Sequence, residues 1–188
     1  MAEARAKWLV NVALYTLAGA GTSALLGAVL GSAGSHLVPL PLRRHAGPAL
    51  LALALLAAAR ELGWVRFRLP QARRQTNHLW AKLLPTPLAA TLWGLDLGLL
   101  FTTWHTFSGP WVLASIAVLH GDPAFGAVLL LAYWLGRALP VWIGPLLLPD
   151  AGATPGMLAS IHDRHRTYQL IHAAGLGMVI TYLALSLS

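Results

Sequence analysis

Apolar positions in this chain fall in long runs rather than in the alternation of a half-buried strand. The runs cover about residues 8–30, 49–66, 87–119, 125–148 and 167–187, separated by stretches rich in Gly, Pro and basic residues. A bilayer core of ~30 Å calls for ~20 apolar residues per helix, so the pattern predicts an all-α polytopic membrane protein with about five transmembrane helices. Residues 1–188 form a single transmembrane domain on this reading.

Two of the runs are interrupted. Ser108-Gly109-Pro110 falls inside the third, and Pro140 and Pro145 fall inside the fourth. Proline removes a backbone donor and clashes with the preceding turn, so a break near 108–110 and a kink at Pro140 are expected. The first run is rich in small residues, among them Gly19, Ala20, Gly21, Thr22, Ser23 and Gly27. Two readings stay open for it: a face for close helix packing, or an unwound point at Gly19–Ser23. Gly31 to Pro48 reads as a loop.

Composition agrees with the pattern. The chain is 57% hydrophobic and 10% charged, with a mean hydropathy of +0.64, whereas soluble domains are roughly a quarter charged. The net charge of +7 resides in short connections, where membrane orientation explains it better than nucleic acid does. Six basic residues against one acid lie between Arg60 and Lys82. This predicts an inner-membrane protein with that loop and the N-terminus cytoplasmic and the C-terminus outside. The first run is too long for a signal-peptide core and is expected to be retained as a helix. There is no cysteine, which excludes disulfides, thiolate metal sites and a dithiol relay carried by this chain. Nucleotide-binding, hydrolase and zinc-protease motifs are missing as well.

Several polar side chains fall at membrane depth. By helical rise, Asp96 and Arg137 sit roughly 14 and 17 Å from the inner surface, on sequential antiparallel spans. A lone charge there costs at least ~2.5–3.5 kcal/mol, so the two are expected to pair, as a structural ion pair or as a gate or site. His105 precedes the break. His162, His165 and His172 offer a candidate metal face at helical spacing, against the alternative of an interfacial helix start.

The third and fourth spans resemble the cytochrome c biogenesis/thiol-disulfide transmembrane family typified by CcdA and the membrane domain of DsbD. The residues that carry the resemblance are Gly98, Phe101, Trp104, Gly109 and Pro110, then Tyr133-Trp134-Leu135-Gly136-Arg137-Ala138-Leu139-Pro140. It covers Gly94 to Pro145 and extends weakly to the Gly19–Gly34 stretch. It implies a degenerate inverted repeat with broken helices. The family's cysteine positions fall at Phe107 and near Thr22 or Ser23, so dithiol electron transfer does not carry over. The expected function is a small-solute or ion transporter. Its pathway would be lined by Gly19, Gly21, Ser23, Asp96, His105, Ser108, Gly109, Pro110, Arg137 and Pro140. The alternative is an accessory membrane subunit of a redox or cofactor maturation system, with a thioredoxin-like or maturation partner. A membrane-bound enzyme using His162 and His165 is a third reading. No cofactor is expected.

Overall fold

The computed structural model describes residues 2–69, 74–103, 107–147 and 165–187. They form eight helices, with no strand among the described residues. In chain order these are α1 (Ala2–Leu37), α2 (Leu40–Arg44), α3 (Gly47–Glu61), α4 (Trp80–Leu83), α5 (Thr86–Gly98), α6 (Gly109–His120), α7 (Pro123–Leu147) and α8 (His165–Leu187).

The organising element is α1, whose 36 residues run unbroken through Gly19–Ser23. Packing decides between the two readings of this stretch: the small residues are a docking face, not an unwound point. A Cβ on Gly27 would lie 2.0 Å from the carbonyl oxygen of Gly126, so only glycine lets α1 and α7 approach this closely. The ring of Trp134 occupies the place a side chain at Gly19 would take. Gly21 points into open space. The same face carries α1 beyond its expected end near Leu30, because Gly31 and Gly34 pack on the backbone of Asp122 and Val118. The stretch expected to be a loop is therefore largely helical, continuing into α2, whose Arg43 reaches the Gly121 carbonyl at 3.4 Å.

These contacts fix the directions. Gly94 and Gly98 of α5 meet Tyr15 and Gly19 of α1, and Val118 of α6 meets Gly34. So α5 and α6 run parallel to α1, one after the other. α7 returns antiparallel, with Gly126 beside Gly27 and Trp142 beside Trp8. A second cluster joins α3, α6 and α8 through Leu50, Ala54, Ala57, Val112, Leu176 and Leu183.

Two helices are long and apolar enough to cross a membrane, over Glu3–Leu37 and Pro123–Ile143; Gly109–His120 and Gln169–Leu185 are apolar but shorter. α7 continues through Pro140 to Leu147. α3 stops at Glu61 rather than near residue 66. Gly63, at φ +79, bonds back to the Arg60 carbonyl and Trp64 bonds to that of Ala59, a glycine-terminated helix end. The third run is divided earlier than expected. α5 ends at Gly98, and Gly109 and Pro110 form the first turn of α6, where a missing N–H costs nothing.

Candidate functional site: the divided helix α5–α6

Dividing a helix inside an apolar bundle exposes carbonyls at one end and N–H groups at the other. Here each end is met by side chains from elsewhere in the fold. At the end of α5 the Asp96 carbonyl accepts from the Thr102 hydroxyl at 2.6 Å. The Gly98 carbonyl accepts from Ser23 of α1 at 2.9 Å. The Leu97 carbonyl accepts, at 3.5 Å, from Arg137 of α7. At the start of α6 the backbone N–H of Ser108 donates to Oε1 of Glu61 at 2.8 Å, and its hydroxyl donates to the same oxygen at 2.5 Å. Arg60 donates to it as well, at 3.0 Å.

Arg137 at the carbonyl end of α5 and Glu61 at the amide end of α6 have the sign that suits each helix dipole, whereas Asp96, a carboxylate in the last turn of α5, has the opposing sign there and is offset by Arg74. Glu61 and Asp96 are both buried, at 3% and 7% exposure. Asp96 is held by Arg74, whose guanidinium lies 2.5 Å from Oδ1 and also donates to the Thr102 carbonyl at 3.3 Å. The other carboxylate oxygen, Oδ2, is buried with no hydrogen-bond partner among the described residues. Between the two ends, Leu100 is buried with φ +36, a conformation that a branched side chain adopts only when its surroundings impose it.

The expected Asp96–Arg137 ion pair is not formed. Arg74 takes the carboxylate because the chain around Asn77 lies along α5, where the Trp93 indole donates to the Asn77 carbonyl at 3.2 Å. Arg137 reaches the neighbouring residue's carbonyl instead. Of the other candidates, Gly19, Ser23, Asp96, Ser108, Gly109, Pro110 and Arg137 gather around the division, whereas Gly21 does not take part. His105 and His162 lie outside the described residues, as does the side chain of His165. His172 stacks on Phe107 beside the start of α6, with ring centroids 3.7 Å apart. Among the described residues no three His, Cys, Asp or Glu side chains are grouped as metal ligands.

Sequence reasoning missed Glu61 and Arg74. Glu61 left a signal: it is the lone acid among six basic residues, two positions before a glycine that ends its helix. Arg74 left none, since its contact comes from the path of a loop.

Comparison with known proteins overturns the thiol-disulfide family. The chain is 32% identical over 150 residues to the methylamine utilization protein MauF of Paracoccus versutus, covering 79% of this chain and 55% of that protein. The MauF proteins of Paracoccus denitrificans (32% over 152 residues, 53% of its length) and Methylorubrum extorquens (29% over 149 residues, 52% of its length) are similar across the same 79% of this chain. The chain thus spans about half the length of the curated relatives it matches. No protein-family model and no solved structure matches it. Membership of the CcdA/DsbD family, the small-solute transporter built on it and the link to cytochrome c biogenesis are all corrected by these relatives, which are named for methylamine utilization.

Proposed function

We propose that this chain is an accessory membrane subunit of a methylamine utilization system, supporting the maturation of its oxidising enzyme rather than carrying the oxidation itself. The observation that carries this reading is the similarity to three MauF proteins across 79% of the chain. The chain has no cysteine, so any dithiol step in such a system belongs to a partner. The divided helix supports an assembly role: buried polar groups of α1, α3, α5, α6 and α7 are fitted to one another at its ends, which makes a rigid scaffold.

In this reading the chain crosses the membrane about five times, the α5–α6 pair serving as one divided crossing, with the N-terminus cytoplasmic and the C-terminus outside. The start of α5 lies beside the start of α1, where Ala6, Lys7, Thr86 and Pro87 line one cleft. This supports placing both basic flanks on the same side.

Deletion of the gene in its host tests the proposal. Growth on methylamine should fail while growth on other substrates continues. Cell extracts should contain the methylamine-oxidising polypeptide in inactive form. Full oxidising activity in extracts of the deletion strain would overturn the maturation role, because extracts bypass any step at the membrane.

A further inference from the structure

The end of α3 bounds a cavity of about 650 Å³ lined by Arg60, Glu61, Arg66, Phe67, Arg68 and Gln169. Its wall is built in advance of any ligand. Gly63 and Trp64 turn the chain back on the last turn of α3. Arg60 fastens the returning strand of loop, donating to the Phe67 carbonyl at 3.3 Å with its guanidinium 5.6 Å above the Phe67 ring. The one acid in the lining is already engaged, since Glu61 accepts from Arg60 and from Ser108. Arg66 and Arg68 have no ion-pair partner among the described residues. The lining therefore presents to one open cleft the Gln169 amide and two guanidinium groups that no acid among the described residues compensates.

Position adds to the argument. Glu61 meets Ser108 at the division, and the division lies beside Ser23, in the middle of the apolar stretch of α1. α3 is 15 residues long, roughly 22 Å by helical rise, which is short of a ~30 Å hydrocarbon core. On this face the polar loop begins well inside the span of α1, so the lipid–water boundary is drawn toward the cavity. Irregular backbone at that depth is tolerated where it lines a polar cavity. Uncompensated arginines there favour an anion, and the guanidinium fork matches phosphate oxygens in bidentate fashion.

We propose that the cavity between the α3 end, the loop 63–68 and Gln169 is a binding site for a phosphate-type anion, whether an anionic lipid headgroup or free phosphate. The inference does not depend on the accessory role. The test uses the full chain in nanodiscs, with thermal unfolding and native mass spectrometry as readouts. Three conditions are compared: phosphatidylcholine alone, phosphatidylcholine with phosphatidylglycerol, and phosphatidylcholine with millimolar inorganic phosphate. The variants are R66Q/R68Q and, as a control at a distant basic position, R44Q.

The site predicts a raised midpoint with phosphatidylglycerol or with phosphate, lost in R66Q/R68Q and kept in R44Q. A shift with phosphatidylglycerol and retained lipid in the spectrum identify the headgroup as the source; a shift with phosphate in neutral discs identifies the free ion. No shift with either probe, or an equal loss in R44Q, overturns the proposal. Unfolding of R66Q/R68Q in neutral discs is its folding control. Should the pair fail to fold, the single variants R66Q and R68Q carry the comparison, each expected to weaken the shift at least about threefold in probe concentration, and unchanged singles count against the site.

Discussion

Glu61 accepts two hydrogen bonds from Ser108, one from its backbone and one from its hydroxyl, across 47 residues of sequence. A carboxylate at the end of α3 thereby caps α6, which no cap within its own chain segment does. The last turn of α3 and the first turn of α6 are held by one group.

Glu61→Gln keeps a hydrogen-bond acceptor but loses the charge facing the α6 dipole, and is expected to cost about 1–2 kcal/mol. Glu61→Leu also removes the acceptor that Arg60 and Ser108 share and should cost more, about 3 kcal/mol, less where water reaches the site. Chemical unfolding in micelles measures both. With Ser108→Ala, a double-mutant cycle should give a coupling of about 1 kcal/mol or more. Additive effects would mean that the contact contributes nothing.

Arg74, not Arg137, is the partner of Asp96. Arg74→Gln should destabilise by about 2 kcal/mol because it leaves a buried carboxylate uncompensated, while Arg74 itself is half exposed. Pairing Asp96→Asn with Arg74→Gln should recover part of that loss. The same cycle with Arg137→Gln should show the smaller coupling. The reverse order of couplings would contradict the geometry.

Gly27→Ala places a methyl 2.0 Å from the Gly126 carbonyl oxygen, which is backbone and cannot rotate away. A loss of about 2 kcal/mol or more is expected, at the upper part of the overpacking range. Gly21→Ala meets nothing within 4 Å and should be neutral or stabilising by up to about 1 kcal/mol, as helix propensity dictates. Equal effects at the two positions would rule out the close α1–α7 crossing.

Topology follows from the proposed crossings. Reporters fused after Lys82 and after Ser188 should report opposite sides of the membrane, with Lys82 cytoplasmic. Finding both on one side would require an even number of crossings between them and would change the count.

The length of the apolar runs and the scarcity of charge settled from sequence that the protein is helical, because those properties depend on composition over tens of residues. The break at Ser108-Gly109-Pro110 was legible in the third run, since Gly and Pro act locally on the backbone, but the earlier end of α5 at Gly98 was not. Asp96, Ser108 and Arg137 were legible as unusual, because a charge or helix breaker in an apolar run needs a reason wherever it sits. Which groups meet was not legible. Depth along the spans pointed to Arg137 as the partner of Asp96, and only the path of the loop past Asn77 and Trp93 brought Arg74 to the carboxylate instead. The same holds for α1, whose small residues suit either an unwound point or a packing face. The approach of Gly126 and Trp134 selected the face, because close backbone contact depends on residues a hundred positions away. Glu61 read as one acid in a basic loop until the end of α3 fell at the start of α6, and two opposed helix ends require tertiary structure to bring them to one carboxylate.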